Sequence, residues 1–204
     1  MELAELPLHS ATPLAWGRAV LQEPLPLLND HAFLEKKAAN NALELLTRWP
    51  NDWVPGWVET MTAVARDETA HLAQVTRLIL RRGGRLERIH RNPYATALRQ
   101  LVRKGTVGEP VDRLLVSAVI EVRSCERFSV LAQAARDLEP ELSGFYQRLY
   151  SSELGHFTTF LKLAHKILPA ARVDERWQDI LAHESRILAA QEPGPRIHSG
   201  LSIE

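Results

Sequence analysis

Apolar and small residues recur at three- and four-residue intervals along most of this chain, and no alternating stretch persists long enough to predict a strand. Leu34, Ala38, Ala42, Leu45 and Leu46 mark one face of a helix over about 30–48, with Asn29 or Asp30 as its N-cap and Pro50 as its stop. A second helix is expected over 55–82, because Pro55 suits a first turn and Gly83-Gly84 ends the pattern. Residues 85–108 then form a long connection with a short helix near 94–104. Helices over 110–137 and 140–168 follow, each opening on a proline. Asp174 caps a further helix over 174–190, whose stripe Trp177, Ile180, Leu181, Ile187 and Leu188 predicts packing against the outside of the others. Residues 1–23 read as irregular apart from a helical turn at 14–21, and the tail 191–204 as extended. The pattern predicts one all-α domain over 1–204: four long helices, a long crossover between the second and third, and an extra C-terminal helix.

Composition changes this picture little. The chain has 204 residues, 45% hydrophobic and 25% charged, as in ordinary globular domains. The N-terminal stretch lacks the basic start and apolar run of a secretory signal, and no apolar run approaches the length of a membrane span. The single cysteine, Cys125, excludes an internal disulfide and fits a cytoplasmic protein. Net charge is zero, yet nine basic residues (Arg77, Arg81, Arg82, Arg85, Arg88, Arg91, Arg99, Arg103 and Lys104) share the segment 77–104 with one acidic residue, Glu87. A basic stretch of that density suits a polyanion such as RNA.

The candidate chemistry lies in a repeated spacing. A Glu-x-x-His pair occurs at Glu68–His71 and again at Glu153–His156, and residues three apart share a helix face. A lone glutamate precedes each pair by about one helix: Glu35 stands 33 residues before Glu68, and Glu121 stands 32 before Glu153. One Glu from each of two helices and a Glu-x-x-His from each of two others is the ligand set of a carboxylate-bridged di-iron site in a ferritin-like four-helix bundle. Oxygen and nitrogen ligands suit iron or manganese, and the lack of thiolates argues against structural zinc. A third pair, Glu87–His90, has no apolar helical frame and reads as accidental. Glu126 rivals Glu121, but five residues is about 140° around a helix, so both cannot face inward. Glu121 keeps the repeat, which leaves Glu126 exposed or supporting. Asp67 is a candidate hydrogen-bond partner for a ligand histidine. His9, His31, His90, His165, His183 and His198 read as surface or packing residues, and Cys125 as a plain buried cysteine. Ala38, Ala39, Ala42, Thr69, Ala70, Ala118 and Gly155 would leave room for small substrates, and Phe128, Phe157 and Phe160 could wall a pocket.

The stretches 65–84 (ARDETAHLAQVTRLILRRGG), 120–132 (IEVRSCERFSVLA) and 151–164 (SSELGHFTTFLKLA) resemble the bacterial tRNA hydroxylases that act on 2-methylthio-N6-isopentenyladenosine, a likeness running from about Leu27 to Ala190. The resemblance implies hydroxylation of the isopentenyl side chain on a modified adenosine beside the anticodon, using dioxygen and two external electrons. It implies two iron ions held by Glu35, Glu68, His71, Glu121, Glu153 and His156 as the catalytic residues. It also implies tRNA as partner, with the nine basic residues as candidate contacts. No flavin, haem or iron–sulfur motif is visible, so a separate reductase is expected, and the protein reads as a monomer or small oligomer. Iron storage or oxidation, or an oxygenase with a non-RNA substrate, are the alternatives.

Overall fold

The computed structural model describes residues 6–49 and 52–201 and, among them, seven helices and no strand. No helix there is long and apolar enough to cross a membrane. The expected stop at Pro50 lies outside the described residues. The helices group into two compact units.

One unit holds residues 23–91 and 195–197. Its frame is a hairpin of two packed helices, α2 (Pro24–Arg48) and α3 (Trp57–Arg81). α2 begins earlier than its periodicity predicts because Pro24, with φ preset and no N–H to lose, occupies the first turn. Asn29 and Asp30 are therefore not caps; both are buried inside the helix, and their side chains serve tertiary partners instead. Pro55 precedes α3, and Gly56, at φ 80°, holds the N-cap position. At the far end Gly83, at φ 73°, turns the chain where a side chain would be strained, and the Gly84 amide donates to the Ile79 carbonyl at 3.0 Å. The turn of the hairpin carries an aromatic cluster in which the Trp49, Trp53 and Trp57 rings lie 5.8–6.2 Å apart.

The other unit holds residues 1–22, 92–194 and 198–204. It comprises α1 (Leu14–Val20), α4 (Pro93–Arg99), α5 (Glu109–Ala135), α6 (Pro140–Ile167) and α7 (Ala170–Ala189). α5 is the central element, with Leu114, Leu115, Val119, Val122 and Leu131 fully buried, and it packs on α6, α1, α7 and α4. α1 comes so close that a Cβ on Gly17 would sit 3.0 Å from Ala134 Cβ and Val130 Cγ1. α4 is shorter than expected and is capped by Asn92, whose side chain accepts from the Ala95 amide at 3.0 Å. α7 starts before Asp174, so Asp174 is not its cap; its carboxylate lies 3.3 Å from His165 Nε2.

Two buried ionic knots brace this unit. Arg123 and Glu184, both fully buried, form two hydrogen bonds of 2.8 and 3.0 Å, and Tyr94 donates its hydroxyl to Glu184 at 3.0 Å. Asp112 accepts from Arg103 at 2.7 and 2.8 Å and from Arg176 at 3.0 Å. The tail is not simply extended. Ser199 accepts from Trp16 Nε1 and its carbonyl from Arg127, both at 3.0 Å, and His198 is buried against the Tyr94 ring, 4.5 Å between centroids. Arg127 also lies 4.0 Å over the Trp16 ring, and burial pushes its guanidinium down to about 10, so it stays charged at neutral pH.

Candidate metal centre

In the α2–α3 hairpin, Glu35 lies on α2 while Glu68 and His71 lie one turn apart on α3, and all three are buried. Each offers a ligand atom, and these lie within 4.8 Å of one another. His71 Nδ1 is 3.6 Å from both Glu35 Oε2 and Glu68 Oε2. That is too long for hydrogen bonds and close to the roughly 3 Å that separates two ligands on one ion. The other oxygen of Glu35 lies 2.5 Å from Nε2 of the fully buried His31. His31 is therefore neither a surface nor a mere packing residue: it fixes which face Glu35 presents to His71. Its i, i+4 relation to Glu35 was the available signal.

The α5–α6 pair repeats the composition. Glu121 on α5 and Glu153 and His156 on α6 are buried, with ligand atoms again within 4.8 Å of one another and His156 Nδ1 3.3 Å from Glu153 Oε2. Cys125, one turn from Glu121, is buried and donates to the Tyr150 carbonyl; burial, then the charges of Glu153 and Glu121, push its thiol well above the usual range. Glu126 is not exposed. It faces a different neighbourhood, accepting from both the amide and the hydroxyl of Thr12 and from Arg123 Nη1 at 3.1 Å.

Each unit thus gathers two carboxylates and one imidazole in a buried setting, an arrangement that is costly without compensating positive charge. The oxygen and nitrogen donors fit a di- or trivalent transition metal.

Other candidates fall elsewhere. The Asp67 side chain, 40% exposed, pairs with Arg66 at 3.1 Å. His90 turns to Asp30 and Lys37, so the third Glu-x-x-His is not a metal pair. Ala39, Ala42, Ala118, Phe128 and Phe160 are buried, whereas Thr69, Ala70 and Gly155 lie on exposed faces and Phe157 rests on Trp177. Of the basic residues, Arg77, Arg81, Arg85, Arg88 and Arg91 are exposed on the first unit, and Arg82 is half-buried. On the second unit Arg99 and Lys104 are exposed, while Arg103 is committed to Asp112.

An all-α chain that twice buries a glutamate beside a Glu-x-x-His pair belongs to the ferritin-like class of non-haem metal proteins. Within that class the family model described as tRNA-(MS[2]IO[6]A)-hydroxylase (MiaE) matches residues 2–199, and the chain belongs to this family. It is similar to the tRNA 2-(methylsulfanyl)-N(6)-isopentenyladenosine(37) hydroxylase of Pseudomonas putida, 38% identical over 93% of this chain and 90% of that protein. It is also similar to the protein of the same name from Salmonella typhimurium, 27% identical over 95% of this chain and 88% of the other. Among solved structures it resembles Protein 43 with aldehyde deformylating oxygenase activity from Synechococcus, at a TM-score of 0.88 and 32% identity, covering 95% of this chain and 96% of that one. These relatives make the protein an enzyme of the tRNA hydroxylase family.

Proposed function

We propose that the protein hydroxylates the isopentenyl side chain of 2-methylthio-N6-isopentenyladenosine in tRNA, with Glu35, Glu68, His71, Glu121, Glu153 and His156 together binding two iron ions. The single observation that carries the metal reading is the matched pair of buried triads, each a lone glutamate with a Glu-x-x-His, one on α2–α3 and one on α5–α6. The substrate reading rests on family membership. When bound, two iron ions supply the activation of dioxygen that C–H hydroxylation requires. The balance is one C–H bond, one dioxygen, two electrons and two protons converted into one alcohol and one water. A separate reductase delivers the electrons, and the reaction takes place in the cytoplasm.

The chain's own residues have defined tasks in this reading. The four carboxylates would neutralise much of the metal charge, and the two imidazoles would complete the ligand set. His31 bonds one oxygen of Glu35, which would leave the other free to ligate a bound ion beside His71. Ala39 and Ala42 on one hairpin, and Ala118, Phe128 and Phe160 on the other, are buried, an apolar setting of the kind that keeps bulk water from a reacting carbon. The exposed arginines of 77–91, with Arg99 and Lys104, meet tRNA phosphates.

Single turnover tests the proposal. The iron-loaded, chemically reduced protein is mixed with dioxygen and tRNA bearing the isopentenylated adenosine, and the digested nucleosides are weighed. The expected result is a gain of one oxygen atom, absent in Glu68→Ala. Iron bound and dioxygen consumed without that gain would discard the tRNA substrate. Many irons per chain in a large assembly would favour storage.

A further inference from the structure

The segment that follows α3 is held in a way its composition does not suggest. Residues 85–91 have no regular secondary structure, yet α2 fastens them near both ends. At one end Asn29 donates its amide to the Arg85 carbonyl at 3.2 Å and accepts from the Glu87 amide at 2.9 Å. At the other end His90 lies with Nε2 2.7 Å from Asp30 Oδ1 and Nδ1 2.8 Å from Lys37 Nζ, while its ring stacks on Phe33 at 4.9 Å and 8°. A lysine donating to Nδ1 and a carboxylate accepting from Nε2 set the neutral tautomer with its proton on Nε2. The second oxygen of Asp30 is itself held by the Ile197 amide at 2.8 Å.

Along the rest of the segment the side chains point outward. Arg85, Leu86, Arg88, Ile89 and Arg91 are all exposed, Ile89 at 79%. Among the described residues none of the three arginines forms an ion pair. A flexible arginine loop solvated by water needs no such anchoring, and here Leu86 and Ile89 set apolar surface beside the charges. Holding charge and apolar surface rigid in solvent lowers the ordering cost of binding a partner.

We propose that residues 85–91 form a preset RNA-gripping finger: Arg85, Arg88 and Arg91 take phosphates of the substrate strand, and Ile89 with Leu86 packs against an unstacked base. This rests on the tRNA hydroxylase reading above. His90 and Asn29 are positioning residues, acting only through the shape they impose on the finger. Glu87, the lone acidic residue of the finger, opposes the anion.

The test is equilibrium binding of tRNA carrying the isopentenylated adenosine to the full-length, iron-loaded protein across a salt series, alongside single turnover on the same tRNA. Replacing all three arginines by glutamine is expected to weaken binding at least tenfold at moderate salt and to flatten the slope of log K against log salt by about 2 to 3, the signature of three lost phosphate contacts. Ile89→Ala is expected to weaken binding about 5- to 30-fold with the slope unchanged, as for loss of the apolar surface one aliphatic side chain buries. Glu87→Gln should tighten binding. His90→Ala should raise KM for tRNA more than it lowers kcat, with His90→Gln recovering part of the loss. Iron content is the check on folding throughout. Arginine and isoleucine variants that match the wild-type affinity and slope, while the wild type still hydroxylates tRNA, would overturn the finger and leave the function standing. A wild type that neither binds nor hydroxylates tRNA would overturn both.

Discussion

Glu121 and Glu126 stand five residues apart on α5 and are given opposite work, so they can be separated by substitution. Glu126 is 11% exposed and accepts from the amide and hydroxyl of Thr12, itself buried, and from Arg123. Glu126→Ala leaves both Thr12 donors without that acceptor, at about 1–3 kcal/mol per buried group. Arg123 keeps its two bonds to Glu184, and the fully buried Arg127, whose Nε lies 3.8 Å from Glu126, keeps the Ser199 carbonyl and the Trp16 ring, so neither buried charge is left wholly without a partner. A loss of about 3 kcal/mol follows, which in a chain of this size lowers the melting temperature by about 6–12 °C. Glu121→Ala removes a carboxylate that shares a buried site with Glu153, and in the metal-free protein this relieves like-charge repulsion. The assay is a thermal melt of each metal-free variant, followed by iron counted per chain after anaerobic loading and removal of excess metal. Glu126→Ala is expected to melt early and bind two irons. Glu121→Ala is expected to melt near the wild type and bind fewer. The reasoning is refuted if Glu126→Ala loses the iron while Glu121→Ala keeps it.

Three further outcomes are expected. His31→Ala should lower metal affinity about 10- to 100-fold in a competition with a chelator, with His31→Gln intermediate, because Glu35 loses the partner that orients it; equal affinities would make His31 a packing residue. Burial pushes the Asp112 carboxyl up, but hydrogen bonds and charge from Arg103 and Arg176 outweigh it and hold the group below its usual range. A depressed folded value means stability that is present above the unfolded value of about 3.9 and is lost as pH falls through the lower folded value. The stability gap between wild type and Asp112→Asn in urea melts should therefore narrow from pH 5 towards pH 2, and a constant gap would contradict the ion-pair account. Glu184→Ala strands the fully buried Arg123 with only Glu126 and Ser10 and should cost about 3–5 kcal/mol, read as a lower urea midpoint; a loss under about 1 kcal/mol would mean water or a rearranged side chain replaces Glu184.

The long helices were legible because each carries a sustained apolar stripe, and the candidate ligands because their spacing repeats over two hairpins. What sequence reading misjudged shares one physical cause. Asn29 and Asp30 have the chemistry of N-caps, but the same short polar side chains can serve a distant segment, and here they hold residues 85–91 while Pro24 starts the helix. Asp174 likewise has cap chemistry, yet α7 begins at Ala170 after Pro169. Local propensity ranks a residue for a role along the chain and is silent about partners 56 or 60 positions away, as for Asn29 with Arg85 and Asp30 with His90. His31 and His90 both read as surface or packing residues, but one is set at i, i+4 from Glu35 on a shared helix face and the other lies in an irregular segment after a glycine pair. Helical spacing could have flagged His31 beside Glu35. Nothing local could have flagged His90, because its Asp30, Lys37 and Phe33 partners meet it only once the chain has passed along α3 and returned to α2. The sequence-distant bonds that escaped prediction are the ones that shape the proposed RNA finger, whereas the repeated short spacings that were readable gather the candidate metal ligands.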